Sequence, residues 1–158
     1  MPSMRFAPDC EEQQERLGAL LADCSPAALI VYLQGDLGAG KTTLVRGFLR
    51  RLGHTGAVKS PTYTLMEPYQ IGGRSICHLD LYRLADAGEL EYLGVRDLLR
   101  HEAVLLIEWP ERGEGDLPAA DLMVRIEHRE QGRDVEISAH SAGGEQVLRR
   151  LQSAQAGA

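Results

Sequence analysis

A glycine-rich loop between an apolar run and an amphipathic stretch constrains the fold of this chain more than any other feature. Residues 35–42 read Gly-Asp-Leu-Gly-Ala-Gly-Lys-Thr and match the pattern G-x-x-x-x-G-K-[ST]. The apolar residues 28–33 before the loop predict a buried strand, and the apolar residues after it recur at helical spacing as far as Gly53. A strand, a glycine loop and a helix in this order form the context in which such a loop binds phosphate.

The loop also predicts the roles of its own residues. Glycines allow backbone N–H groups to turn inward around an anion, and the N-terminus of the following helix adds partial positive charge there. We expect Lys41 to reach the β- and γ-phosphates of a nucleotide, Thr42 to ligate Mg²⁺ and Thr43 to touch a phosphate. The expected nucleotide-binding residues of the loop are Gly35, Asp36, Gly38, Ala39, Gly40, Lys41, Thr42 and Thr43.

The bulk composition predicts a single domain with a weak attraction for nucleic acid. The chain has 158 residues, of which 44% are hydrophobic, enough to bury one core. We expect the ends, at about residues 1–8 and 152–158, to be flexible. The net charge of −6 argues against binding of nucleic acid by bulk electrostatics. DNA is therefore not an expected partner, and contact with RNA is expected to need help from another protein.

Cysteine spacing and hydropathy predict the cellular setting. The three cysteines, Cys10, Cys24 and Cys77, lack the spacing of a zinc site or a disulfide framework. No apolar stretch approaches the roughly 20 residues that a membrane helix needs, and the acidic N-terminus lacks an apolar signal core. These features predict a reduced cytoplasmic protein without a membrane partner.

Apolar periodicity and turn residues predict an α/β fold. Residues 11–23 predict an amphipathic helix with Asp9 as its N-cap. The other predicted elements are a hairpin of residues 63–69 and 75–81, short helices at 89–93 and 95–99, a buried strand at 103–107, a hairpin of 121–127 and 133–138, and a terminal helix at 143–151. Together with the loop they predict a three-layer sandwich like that of P-loop NTPases, with a parallel core and antiparallel hairpins in one mixed sheet.

Two carboxylates follow predicted strands. Glu108 comes directly after the buried strand at 103–107, and Asp80 ends another apolar run. Because open α/β sheets gather ligands at the carboxyl ends of their strands, both are candidates for the metal side of a phosphate site. The alternatives are a solvated strand end for Glu108 and a helix cap or loop carboxylate for Asp80. His78 shares a face with Asp80, and a core histidine is favoured over a catalytic one.

Four segments together resemble the TsaE (YjeE-like) ATPases of bacterial tRNA threonylcarbamoyladenosine synthesis. In order, the segments are GDLGAGKTT at 35–43, VKSPTYTL at 58–65, HLDLYR at 78–83 and IEWP at 107–110. The likeness covers roughly the whole chain, whereas the loop pattern alone would indicate only a superfamily. The residues Ser-Pro-Thr-Tyr-Thr are the most discriminating part of this resemblance.

The resemblance implies a protein that binds ATP and Mg²⁺, hydrolyses ATP slowly by itself and acts with two partner proteins, TsaB and TsaD. TsaD, rather than this chain, would transfer the threonylcarbamoyl group to the adenosine beside the anticodon, so tRNA would be an indirect partner. By resemblance, Thr42 and Glu108 hold Mg²⁺, and Asp80 helps to place the metal or the attacking water. Lys41, Asp80 and Glu108 are thus the expected catalytic residues, and Thr62 lies in a segment similar to the family's nucleotide-responsive switch.

The resemblance also suggests contacts on the far side of the nucleotide. Arg133 matches a position implicated in nucleotide binding. Without the resemblance, an arginine beside a hairpin turn would be interpreted as an ordinary exposed residue. The N-terminal helix of the family often carries a threonine near the base, where this chain has Gln13-Gln14. Asp9 and Glu11 lie close to that stretch and are the candidates for the base-side contact.

Two other functions stay open at this point. A small-molecule or nucleoside kinase begins with the same loop pattern, although this chain continues into a hairpin rather than the lid-like helical insertion of such kinases. A nucleotide-binding interaction module without useful hydrolysis would use Asp80 and Glu108 only structurally. A phosphorylated acceptor would identify the kinase, and unchanged ATP turnover after Glu108→Ala would identify the interaction module.

Overall fold

A mixed seven-stranded β-sheet forms the centre of the computed structural model, which describes residues 2–86 and 88–156. The strands are β1 (Ser3–Phe6), β2 (Leu29–Gln34), β3 (Met66–Ile71), β4 (Arg74–Asp80), β5 (Val104–Glu108), β6 (Leu122–His128) and β7 (Arg133–Ala139). The helices are α1 (Glu11–Cys24), α2 (Lys41–Leu52), α3 (Glu89–Tyr92), α4 (Val95–Leu99) and α5 (Ala142–Ala156), with a 3-10 turn at Pro110–Gly113. Within these residues, no helix combines the length and the apolar character needed to cross a membrane.

The strand order confirms the predicted α/β class with a mixed sheet. The sheet runs β1-β7-β6-β2-β5-β4-β3. Strands β6, β2, β5 and β4 pair in parallel, whereas β3 pairs antiparallel with β4, and β7 pairs antiparallel with both β6 and β1. The parallel strands have their carboxyl ends at one edge of the sheet, and the glycine loop leaves β2 at this edge.

Each face of the sheet packs against its own apolar cluster. Helices α1, α2 and α5 cover one face, to which β2 contributes Leu29, Val31 and Leu33. The short helices α3 and α4 cover the other face at β4 and β5, where Leu79 and Ile107 are fully buried. Successive side chains of β4 and β5 point to opposite faces, so Ile76, Val104 and Leu106 join the cluster that contains α2.

Helices α1 and α2 approach each other closely at two glycines. A Cβ atom on Gly18 would lie 2.1 Å from the carbonyl oxygen of Leu44, and one on Gly47 would lie 2.0 Å from that of Glu15. Real Cβ atoms essentially never come this close to another heavy atom, so any larger residue would push the helices apart. The close approach brings the first turns of α1 to the start of α2, beside the glycine loop.

Both chain ends contain regular secondary structure, and the flexibility expected of them stays a prediction. Residues 3–6 form β1, whose pairing with β7 adds a strand to the edge of the sheet. At the other end, α5 continues to Ala156, past the predicted end at residue 151. Residues 1, 157 and 158 lie outside the described residues. Edge pairing of a short strand depends on a distant partner, which is why the local pattern does not predict β1.

Two local predictions are wrong. Asp9 is not the N-cap of α1, because Cys10 occupies that position. Residues 63–65, predicted as the start of a strand, form a turn in which the Leu65 N–H donates to the carbonyl oxygen of Pro61 at 2.7 Å. Leu65 has a φ of 68°, a left-handed conformation that is incompatible with a strand. The hairpin itself is confirmed, with β3 beginning one residue after this turn.

Candidate functional site

Neighbouring strand ends bring the glycine loop and both predicted carboxylates into one cleft. Strand β2, from which the loop leaves, pairs with β5, and β5 pairs with β4. The register places Glu108 beside Leu33 on one side and beside Asp80 on the other. The cleft has a volume of about 570 Å³, and its lining includes Lys41, Thr42, Thr43, Ser60, Thr62, Asp80, Arg83, Glu108 and Trp109.

The loop backbone has the geometry of an anion cradle. Gly38 and Gly40 have φ angles of 79° and 99°, in the left-handed region that residues with a Cβ atom avoid. Gly40 is the N-cap of α2, and no side chain of the described residues caps that helix end. The first N–H groups of α2 therefore face the cleft without a side-chain acceptor, as in anion sites at helix N-termini.

Lys41 begins α2 and lies inside the cleft. It is 5% exposed, its Nζ donates to the carbonyl oxygen of Gly35, and the same atom lies 3.9 Å from the centre of the Trp109 ring. Burial lowers the pKa of the Lys41 ammonium, although the carboxylates of Glu108 and Asp80 act in the opposite direction. The ammonium group is therefore partly desolvated, and a phosphate oxygen bound beside it would replace the lost water.

Thr42 and Glu108 form an oxygen-rich wall of the cleft. The Oγ1 atom of Thr42 donates to Oε2 of Glu108 at 3.3 Å. Glu108 ends β5 and is 3% exposed, and Asp80 lies beside it at the end of β4 with the same exposure. Hydroxyl and carboxylate oxygens are the ligands that Mg²⁺ prefers, so this donor set fits the expected metal.

Asp80 connects the cleft with the predicted switch segment at residues 60–65. Its Oδ2 atom accepts hydrogen bonds from Oγ of Ser60 at 2.5 Å and from Oγ1 of Thr62 at 3.3 Å. The Asp80 N–H donates to the carbonyl oxygen of Leu65 at 2.9 Å. The segment is therefore attached to Asp80 at both ends. The sequence analysis did not single out Ser60, whose only signal is its place beside Thr62 in the most discriminating segment.

Two side chains from outside the loop hold the loop carbonyl groups. Arg133 donates from Nε to the carbonyl oxygen of Ala39 at 3.1 Å and from Nη2 to that of Gly38 at 3.2 Å. Gln14, which is 3% exposed, donates from Nε2 to the carbonyl oxygens of Gly40 at 2.8 Å and Ala39 at 3.2 Å. These bonds occupy three carbonyl groups of the loop with side chains from α1 and β7. In the sequence, Gln14 is noted only because the family often has a threonine in that stretch. The structure shows that its side chain supports the glycine loop.

Asp9 and Glu11 are not gathered into the cleft. The Oδ1 atom of Asp9 accepts from Nη2 of Arg129 at 3.0 Å, and Oε1 of Glu11 accepts from Nη1 of Arg46 at 3.1 Å. In the part of the chain that the structure describes, neither carboxylate is hydrogen-bonded to the loop. The backbone of Asp9 lies against Gly132, where a Cβ atom would come within 2.8 Å of the Asp9 Cα. Contact of Asp9 or Glu11 with a nucleotide base stays a prediction.

His78 reaches the site through Glu108. It is fully buried on β4 and shares a face with Asp80, as the alternation predicts. Its Nε2 atom lies 2.5 Å from Oε2 of Glu108. A buried histidine is what the sequence favours, but the sequence does not predict that this histidine touches a candidate metal ligand.

Replacing Gln14 by methionine is expected to weaken the binding of metal-free ADP about tenfold. Methionine keeps the length of the side chain but cannot donate to the loop, and two hydrogen bonds worth about 0.5–1.5 kcal/mol each correspond to such a factor. Calorimetric titration with ADP measures the ratio. Gln13→Met is the matched control because the exposed Gln13 contacts the Asp9 N–H instead of the loop. Equal affinities of the wild type and Gln14→Met would contradict the supporting role.

The strand order and the glycine loop between β2 and α2 define an α/β protein with a P-loop-like fold. Within that class, the chain belongs to the family described as threonylcarbamoyl adenosine biosynthesis protein TsaE, whose model matches residues 9–135. The family resemblance seen in the sequence is thereby confirmed.

Individual relatives agree with this membership. The chain is 53% identical over 121 residues to the tRNA threonylcarbamoyladenosine biosynthesis protein TsaE of Haemophilus influenzae, with 77% of each chain covered. It is 37% identical over 115 residues to the protein of the same name from Bacillus subtilis, with 73% of this chain and 72% of the relative covered. The crystal structure of Bacillus subtilis YdiB superimposes with a TM-score of 0.84 at 26% identity, covering 98% of this chain and 97% of that one.

Proposed function

We propose that this chain is a magnesium-dependent ATPase required to form the threonylcarbamoyl group on the adenosine beside the anticodon of tRNA. Its relatives in Haemophilus influenzae and Bacillus subtilis are named tRNA threonylcarbamoyladenosine biosynthesis proteins, which supports the pathway. The observation that carries the ATPase activity is the shared cleft of Lys41, Thr42, Asp80 and Glu108 at the end of the glycine loop. A nucleoside triphosphate is the substrate that such a loop, a lysine and a pair of carboxylates would bind together.

Four residues of the cleft, together with the loop backbone, have roles in the proposed reaction. The loop N–H groups bind the phosphates, and Lys41 binds the β- and γ-phosphate oxygens. Thr42 and Glu108 hold Mg²⁺, which when bound supplies positive charge against the charge that develops on the phosphate oxygens. Asp80, at the end of the neighbouring strand, orients the attacking water or helps to hold the metal. Stabilisation of developing charge by fixed groups is the main way in which phosphoryl transfer is assisted.

The contacts of Asp80 suggest how nucleotide binding reaches a partner. Ser60 and Thr62 both donate hydrogen bonds to Oδ2 of Asp80, a residue that lines the cleft. A nucleotide and metal that draw on Asp80 would therefore change these two bonds, and residues 60–65 would become ordered or released. This response is a switch controlled by the γ-phosphate, a recurring device in nucleotide hydrolases.

The proposed setting is a cytoplasmic complex with TsaB and TsaD. In this complex TsaD is the transferase, and the present chain contributes ATP binding and hydrolysis. The net charge of −6 is consistent with an indirect rather than an independent contact with tRNA. Residues 60–65 are the segment proposed to change the grip on TsaD.

Phosphate release from ATP tests the proposal. The isolated chain is expected to release phosphate slowly, and addition of purified TsaB and TsaD is expected to stimulate release. Lys41→Ala is expected to abolish the stimulated rate because the lysine that binds the β- and γ-phosphates is lost. If partners of proven activity give no stimulation, the proposal fails, and a phosphorylated acceptor should be sought as the mark of a kinase.

A further inference from the structure

His78 occupies a fully buried position directly behind a candidate metal ligand. It lies on β4 two residues before Asp80, opposite Leu106 of β5, on the face of the sheet that α2 covers. Its side chain has no solvent exposure, and its Nε2 atom lies 2.5 Å from Oε2 of Glu108. A polar ring at this depth is unusual unless its hydrogen bond serves a purpose.

The position of the ring proton follows from the other nitrogen. Among the side chains that the structure describes, Nδ1 of His78 is the only buried nitrogen or oxygen atom without a hydrogen-bond partner. A proton on Nδ1 alone would make that atom a buried donor without an acceptor and would leave Nε2 as a second acceptor facing the carboxylate. A proton on Nε2 supplies the donor for this contact and removes the repulsion between two acceptors. His78 is therefore a hydrogen-bond donor to Glu108.

The Oε2 atom of Glu108 thus receives two donors from two different elements. His78 donates from β4 inside the sheet layer, and Thr42 donates from the first turn of α2. Two donors on one oxygen fix the rotation of the carboxylate about its last bond. They also hold the carboxylate close to the hydroxyl of Thr42, the other proposed ligand of Mg²⁺.

We propose that His78 is a positioning residue, which orients the Glu108 carboxylate for Mg²⁺ and does not itself touch nucleotide or metal. This inference rests on the proposed function, because it concerns the same metal site. Partners that orient a metal ligand typically change metal affinity 10–100-fold when they are removed, so an effect of about tenfold or more is expected.

Two substitutions of similar size separate donation from packing. Glutamine at position 78 places an amide N–H close to the place of Nε2, whereas methionine fills the same space without a donor. The probe is Mn²⁺, whose binding in the presence of ADP is followed by electron paramagnetic resonance. Binding of ADP without metal and thermal unfolding of the nucleotide-free protein are measured on the same variants.

The proposal expects selective loss of metal affinity. His78→Met should weaken Mn²⁺ binding about tenfold or more, and His78→Gln should restore it to within about threefold of the wild type. Metal-free ADP binding should be unchanged in both variants. Equal Mn²⁺ affinities of His78→Met and the wild type would overturn the proposal. Parallel loss of Mn²⁺ binding, metal-free ADP binding and thermal stability in both variants would also overturn it, in favour of a purely structural histidine.

A second comparison covers the case in which His78→Met does not fold. Asparagine at position 78 keeps a polar amide but is too short to reach Glu108, so His78→Asn should bind Mn²⁺ more weakly than His78→Gln. Equal affinities of these two variants would overturn the proposal. A wild-type protein that binds ADP but never Mn²⁺ would instead show that the proposed magnesium site is wrong, which distinguishes failure of the function from failure of this inference.

Discussion

Glu108→Ala is expected to lower ATP turnover about 100-fold or more in the complex with TsaB and TsaD, the usual scale for groups that stabilise transition-state charge. Glu108 is 3% exposed at the end of β5, beside Asp80 and within 3.3 Å of the Thr42 hydroxyl. Its removal takes away one proposed metal ligand and the acceptor that holds Thr42. Phosphate release at saturating ATP measures the effect, and Glu114→Ala is the control because Glu114 is exposed and lies outside the cleft.

The fold of this variant needs its own check. Glu108→Ala leaves the buried Nε2–H of His78 without its acceptor, which by itself costs stability. Glu108→Gln keeps the shape of the side chain and removes its charge, so it is expected to unfold near the wild-type temperature and still lose most turnover. Undiminished turnover in Glu108→Gln would show that Glu108 is not a catalytic residue and would favour the interaction module in which this carboxylate is only structural.

The loop and the strand-end carboxylates are predictable from sequence because each follows from a short local pattern. The loop needs only residues 35–42 and the apolar run before them. Glu108 follows five apolar residues directly, and Asp80 ends an alternating run, so both fall where parallel strands finish. Once these strands are neighbours, their register places the two carboxylates side by side.

The side chains that support the glycine loop are not predictable in the same way, because their hydrogen bonds join distant parts of the chain. Gln14 donates to a carbonyl group 26 residues away, and Arg133 donates to one 94 residues away. Gln14 does not stand out among its sequence neighbours, and Arg133 is singled out only by the family resemblance. Their partners are defined only when the glycine contacts bring α1 onto α2 and when the end of β6 and the start of β7 form a turn beside the loop. The edge strand β1 depends on a distant partner in the same way.

Lys41→Met is expected to weaken ATP binding about 100-fold or more. Methionine keeps the length of the side chain and removes its charge, and each hydrogen bond from a charged donor contributes about 1.5–3 kcal/mol, where 1.4 kcal/mol is a factor of ten. The carboxylates of Glu108 and Asp80 stay in the cleft and would repel the triphosphate. Calorimetric titration with ATP measures the affinity. The chain's other lysine, the exposed Lys59, provides the control variant Lys59→Met, which should bind ATP like the wild type.

The stability of the nucleotide-free protein should move in the opposite direction. Because burial lowers the pKa of the Lys41 ammonium in the folded state, keeping that group charged at neutral pH opposes folding. The penalty is fully present below the folded-state pKa and disappears as the pH rises through the unfolded-state value. Lys41→Met should therefore melt at the same temperature as the wild type or higher at pH 7, while it binds ATP poorly. A lower melting temperature would show that Lys41 stabilises the empty site, and undiminished ATP binding would show that it does not bind phosphate.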